Sequence, residues 1–291
     1  MRVTAIGKII YALPLSLSGS LLAGDCPSQI GDPQVLRVAG LRGLPQQKAL
    51  RRLMARCVKR DEERFPQAVF YCGDRLRPAL RSLVQDPEFG GLAVTLLAFI
   101  AVREDLRGII QSPPQPKQPE FSDRWAYSVA CSLLDPSSDE DWSFLRKCAL
   151  NEFDDAWVDA GAIQTLKLIS SPRSRGILEE AQRRNSSRLR SVSQAIEYIE
   201  SKPAPLVGPN LEALAARVAR ALSIGEWKGN GKPQCNETAD KALVNFTFES
   251  GRDRLIYTAT FHKSEAIWRL RGVSETAQML MPAPVPTVLP Q

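Results

Sequence analysis

A single histidine, six cysteines and several acidic clusters are the residues of this 291-residue chain with chemistry to offer. His262 lies in an alternating stretch beside Phe261, so it points away from the face that carries the aromatic ring, alongside Thr258 and Thr260, at an exposed or rim position. A Ser-His-Asp relay would have to use His262, and no Gly-x-Ser-x-Gly elbow accompanies it. One histidine without a Cys-x-x-Cys is a poor donor set for zinc. Gly229-Asn230-Gly231-Lys232 resembles a phosphate loop in composition but lacks its spacing and its following helix, and reads as a tight turn. The acids Asp139, Glu140 and Asp141, and Glu152, Asp154, Asp155 and Asp159, do not follow the spacing of a calcium loop. They suit the first turns of helices, where the backbone dipole favours negative charge. No catalytic or metal-binding residue is assigned, and no cofactor is expected.

The cysteines take their meaning from the N-terminus. Arg2 and Lys8 precede an apolar stretch, Ile9 to Ala23, that ends in Leu22-Ala23-Gly24. This is the three-part pattern of a secretory signal peptide, read as residues 1–24. The stretch is short and broken by Pro14, against the roughly 20 apolar residues of a membrane span. A buried N-terminal helix or a retained anchor is the competing reading. Asp25 separates Gly24 from Cys26, which argues against lipidation. No later segment reads as transmembrane, so the expected mature chain is exported, periplasmic or secreted. Six cysteines in an exported chain fit disulfides. Pairs flanking turns near Pro66 and Pro136 would be Cys57–Cys72 and Cys131–Cys148, leaving Cys26–Cys235. The competing reading is buried free thiols that pack as small hydrophobes.

Stepping from residues to elements, residues 25–201 read as helices joined by short turns. Leu50, Leu53, Met54, Cys57 and Val58 share one helical face after Pro45, and Leu76, Leu80, Leu83 and Val84 share another over Asp74 to Val84. Helices are also expected over Gly91 to Val102 and Ser187 to Glu200. The stretch beginning Phe89-Gly-Gly-Leu-Ala-Val-Thr-Leu-Leu is echoed at Trp157-Val-Asp-Ala-Gly-Ala-Ile-Gln-Thr-Leu. Between them lies Trp125-Ala-Tyr-Ser-Val-Ala-Cys-Ser-Leu-Leu, and Arg107-Gly-Ile-Ile recurs as Arg175-Gly-Ile-Leu. A period in the mid-thirties fits a two-helix repeat. On the segment from Asp154 to Glu180, with its acidic turn, small-residue helix, Ser-Pro turn and second amphipathic helix, the chain resembles HEAT-like helical repeats. The resemblance covers roughly residues 65–200. It implies a helical solenoid, with an irregular helical bundle as the alternative, and extended faces suited to protein partners. Some members of that broad class are chromophore lyases; export and the lack of an evident nucleophile speak against this. Ser112 to Pro119 reads as an extended, proline-rich loop. Phe65, Phe89, Trp125, Trp142 and Trp157 are candidate contacts but fit core positions.

Residues 202–209 read as a linker, after which the periodicity changes. Asn210 caps a helix whose stripe is Leu211, Leu214, Ala215, Val218 and Leu222, with Gly225 ending it. Lys228 to Pro233 reads as loop. Three strands are expected: Lys241–Glu249, Arg254–Lys263 and Ala266–Val273. The expected fold is thus mainly α, followed by a small α+β module over residues 210–280, one helix on a three-stranded antiparallel sheet. Its element order is similar to that of cystatin-like and nuclear-transport-factor-like modules. Residues 281–291 form a Pro-rich tail expected to be disordered.

Charge is uneven. From Leu36 to Arg60 there are eight cations and no acid. Arg51, Arg52, Arg56, Lys59 and Arg60 can share a broad helix face, a candidate surface for an anionic partner such as an acidic protein or an anionic envelope polymer. The segment Asp135 to Asp159 is acidic, and the two could instead face each other or water. The net charge of +6 is too modest, once Arg2 and Lys8 are removed, to indicate nucleic acid. The expected function is a non-catalytic, exported interaction or scaffold protein. The alternative is a small-molecule or enzymatic pocket in the C-terminal module, around Tyr257, Thr258, Thr260 and His262.

Overall fold

A computed structural model describes residues 32–57, 65–100, 102–115, 124–153, 157–184, 188–223, 228–229, 231–250 and 253–280. Among these residues the chain is mainly helical, with a helical part followed by an α+β part. The expected signal peptide and Pro-rich tail lie outside them, as do Cys26, Lys59, Arg60, Gly225 and the second half of the proline-rich loop.

The helices begin where local chemistry allows. In α1 (Pro33–Gly40) the Asp32 carboxylate accepts a hydrogen bond from the Gln34 amide at 2.8 Å, and Pro33, which has no N–H to satisfy, opens the first turn. Next comes α2 (Gly43–Cys57), which buries Leu50, Leu53, Met54 and Cys57, the stripe expected from their spacing. The remaining helices of this part are α3 (Phe65–Phe70), α4 (Gly73–Leu83), α5 (Gly90–Ile100), α6 (Arg103–Gln111), α7 (Arg124–Ser132), α8 (Asp139–Ala149), α9 (Val158–Ile169), α10 (Pro172–Arg184) and α11 (Leu189–Glu200). The helix expected to continue through Val102 stops at Ile100, because extended backbone at Val102 starts α6 instead. A reciprocal capping box between Ser138 and Asp141 opens α8.

These helices lie in two rows. In the inner row α5, α7, α9 and α11 pack side by side in that order, with α3 against α5. Their shared core is built from small and branched residues such as Ala93, Val94, Ala126, Val129, Ala130, Val158, Ala162 and Leu166. Two hydroxyls reach between neighbours: Thr95 Oγ1 meets Ser128 Oγ at 3.1 Å, and Thr165 Oγ1 donates to the Ala130 carbonyl at 2.9 Å.

In the outer row α4, α6, α8 and α10 are joined by arginine–carboxylate rungs. Arg77 and Arg81 of α4 both donate to the buried carboxylate of Asp105 in α6. Arg107 of α6 approaches Asp141 of α8 at 3.9 Å, and Arg146 of α8 forks onto Glu180 of α10. Of the acidic segment from Asp135, Asp141 and Asp159 are buried, the latter accepting from Arg188, while Asp135 and Asp139 stay exposed, Asp139 paired with Arg173.

After α11 the expected linker contributes a strand. β1 (Val207–Gly208) pairs with β6 (Ile267–Leu280), and α12 (Leu211–Leu222) follows, capped by the Asn210 side chain on the Ala213 amide. The other strands are β2 (Lys228–Gly229), β3 (Gln234–Glu237), β4 (Lys241–Ser250) and β5 (Asp253–Ser264). The sheet is antiparallel, ordered β1-β6-β5-β4-β2, with β3 also on β4. Among the described residues three short strands join the three that were expected. The three long strands match the alternating stretches, whereas β1, β2 and β3 are too short to show a period and exist through their pairing partners. The loop expected at Lys228 to Pro233 accordingly starts with strand β2.

One sheet face is covered by α12. Ala242, Val244, Phe246, Phe248, Ala259, Phe261, Trp268 and Leu270 form a core with Leu211, Leu214, Val218 and Leu222. Its other face lies on the inner row of helices, so the sheet is a middle layer. At Gly272 in β6 an added Cβ would stand 3.1 Å from Thr260 Oγ1 and 3.3 Å from Ser132 Oγ. A bare backbone at this position is what lets α7 approach the strand.

Candidate functional site

The residues expected to line a pocket are placed at the joint between sheet and helices. Thr258, Thr260 and His262 alternate along β5 on the face opposite Phe261, as their spacing requires. That face is covered at Thr258 and Thr260, both buried, and His262, expected at an exposed or rim position, is half-buried against the Phe70 ring of α3, with ring centroids 5.9 Å apart. Tyr257 does not join them. It packs edge-on against Phe248, in the cluster shared with α12.

The joint is polar at its rim and apolar at its centre. Gln67 of α3 reaches Thr258 Oγ1 at 3.5 Å, and Thr258 donates to Asn245 Oδ1 at 2.7 Å. Lys241 Nζ pairs with Asp74 of α4 at 2.5 Å and lies over the Phe70 ring. The Tyr71 hydroxyl donates to the Asn236 carbonyl, and the Glu275 amide donates to the Tyr127 hydroxyl at 3.1 Å. Between these, Phe70, Phe99 and Leu243 form a small cluster. Burial, with the positive charges of Lys241 and Arg271, lowers the His262 pKa from 6.5 to about 4 against the smaller opposing pull of Asp74 and Asp240. Its Nε2 is buried with no hydrogen-bond partner among the described residues.

The three expected disulfide pairings are not present. Cys72, Cys131, Cys148 and Cys235 are free thiols, and each pairing needed at least one of them. Cys131 lies in α7 in hydrogen-bond contact with Tyr127, and burial pushes its thiol up to about 12. Cys148 is enclosed in the helical core, and burial raises its pKa as well. Both pack as small hydrophobes. Cys57 is fully buried in α2 and is not among the free thiols. Among the described residues no group of three histidine, cysteine or acidic side chains could hold a metal ion.

The candidate anionic-partner surface is divided. Arg51 is exposed, pairs with Asp86 at 2.8 Å and lies over the Phe89 ring; Arg56 is half-buried and donates to Gln34. Arg52 is exposed. The corner just before it is the more open part, and the focus on Arg51 to Arg60 missed it. Arg37, Arg42 and Lys48 are exposed there, together with Leu36, Leu41 and Leu44. Gly43, with φ of 61°, takes the left-handed turn between the two helices that a side chain would strain. The signal was present in the sequence as Leu-Arg-Gly-Leu-Pro, an apolar and basic turn with no acid from Pro33 to Cys57. Of the aromatic candidates, Phe65, Phe89 and Trp125 are core residues, Trp142 is half-buried under Arg173, and Trp157 is 54 % exposed.

No helix among the described residues is long and apolar enough to cross a membrane. Comparisons with protein-family models, with curated proteins and with solved structures find no match for this chain.

Proposed function

We propose that this is an exported, non-catalytic interaction protein that meets an anionic partner through the corner between α1 and α2. The observation that carries the reading is the contrast between the two candidate sites. Residues that would form a pocket are consumed in packing the sheet onto the helices. The basic corner is exposed and carries its leucines and cations outward. The two rows of helices, whose inner members recur at a spacing in the mid-thirties and whose outer members are tied by repeating arginine–carboxylate rungs, support a HEAT-like array. In this reading the C-terminal sheet covers the inner row and closes that face to partners, leaving the N-terminal corner as the contact. The leader pattern over residues 1–24 supports export.

The test is a cross-linked pull-down from the exported fraction with the full chain and an Arg42→Glu/Lys48→Glu variant. The reading expects a specific partner that the wild type retains and the variant loses. Equal retention by both would move the contact elsewhere. The second reading, a ligand at the joint, rests on the unpartnered Nε2 of His262, and a small molecule co-purifying with the chain would favour it.

A further inference from the structure

We infer that the corner between α1 and α2 docks on an anionic lipid surface, with its leucines entering the headgroup boundary and its cations on the lipid phosphates. This deepens the interaction reading above and rests on it. Of the five large apolar side chains left exposed among the described residues, three lie here: Leu36, Leu41 and Leu44. Leu44 is the most open, at 69 % exposure. They interleave with Arg37, Arg42 and Lys48, and Arg52 follows one helical turn beyond Lys48; all four cations are exposed. No acid occurs from Pro33 to Cys57 to offset them.

Exposed apolar and basic side chains interleaved from α1 through the turn into α2 match the two layers of a bilayer interface. Leucine gains by leaving water for the acyl boundary, and arginine and lysine gain from anionic headgroups within a Debye length of the surface. An acidic protein would explain the cations but would not require three leucines standing outward among them. The charge is also placed for this occupant: Arg51 and Arg56, further along α2, are held by Asp86 and Gln34, and the open cations gather at the turn.

Vesicle co-sedimentation tests the inference. The protein as it accumulates in the exported fraction is mixed with vesicles of phosphatidylcholine, alone or with about 30 mol % phosphatidylglycerol. Four forms are compared: wild type, Leu41→Glu/Leu44→Glu, Arg42→Glu/Lys48→Glu, and Leu189→Glu as a control at an exposed leucine elsewhere. Circular dichroism confirms that each is folded. Binding to the anionic vesicles is expected to be at least about tenfold tighter than to neutral ones and to fall with salt. Each corner variant is expected to lose at least about tenfold, and the control less than about twofold. Absence of vesicle binding, equal binding to neutral lipid, or a control that falls with the corner variants would overturn the inference. If vesicles are not bound but the pull-down still shows a protein partner lost in the charge-reversal variant, the interaction reading stands and only the lipid surface falls. Failure in both assays removes both.

Discussion

Among the described residues, half-buried His262 and buried Lys167 are bases whose protonation the fold opposes. The imidazole is held neutral to about pH 4 in the folded chain, whereas the unfolded chain takes up its proton near 6.5. The unfolded state therefore binds more protons across that window, and stability is lost as pH falls from about 6.5 to about 4. His262→Gln is expected to flatten this part of the stability curve, read as the difference between variant and wild-type denaturant midpoints at each pH so that shared carboxylate effects cancel. Parallel curves would show that the imidazole is not shielded by the joint. Lys167 is 5 % exposed on α9, over the Tyr198 ring of α11, and burial alone lowers its pKa from 10.5 to about 8. It remains charged at neutral pH at a cost that the ring contact only partly offsets. Lys167→Met keeps the stem and removes the charge, and is expected to stabilise by about 1–2 kcal/mol at pH 7. A loss of stability would mean that the cation on Tyr198 is net favourable.

At the scale of elements, the outer row depends on charged rungs and the inner row on small residues. Asp105 is the strongest rung, a buried carboxylate receiving two guanidinium groups from α4. Asp105→Ala would remove the acceptor shared by Arg77 and Arg81, both partly exposed, and is expected to cost about 1–2 kcal/mol, seen as a lower urea midpoint. Arg175→Ala at the exposed pair with Glu179 should change the midpoint little. Comparable losses at both positions would mean that burial does not decide the worth of a rung. Which elements could be foreseen follows from how far each carries its own signal. The alternation Ala242, Val244, Phe246, Phe248 and Leu255, Tyr257, Ala259, Phe261 made β4 and β5 legible, because half-buried strands print a period of two. The continuation of β6 through Ser274 and Glu275 carries no such pattern and follows from pairing with β5. Likewise β1 was hidden in Leu206-Val207-Gly208, where only the neighbouring strand makes a strand. The spacing of Cys131 and Cys148 suggested a bridge across a turn, whereas both are buried free thiols, near enough that Cys131 contributes to the raised pKa of Cys148.

At the scale of the whole molecule, the sheet between α12 and the inner helices is the decisive feature. The direction in which Thr258, Thr260 and His262 point was legible from alternation. That helices would lie over them was not, since this depends on contacts such as Gln67 with Thr258 and Lys241 with Asp74, more than 160 residues apart in the chain. A sheet buried on both faces should not unfold apart from the helices. Far-ultraviolet dichroism and tryptophan fluorescence, with Trp125 in the helical core and Trp268 in the sheet core, are expected to report one coincident thermal transition. Two separated transitions would show that the joint is weak enough to open. The corner between α1 and α2 presents the open leucines and cations. The most direct test of the interaction reading places a photoreactive amino acid at position 44 and, as control, at 189 in the full chain within its native exported fraction. The account expects a discrete cross-linked species, lipid or protein, from position 44 that disappears in the Arg42→Glu/Lys48→Glu background, with none from 189. No adduct at position 44, or one that charge reversal leaves unchanged, would contradict it.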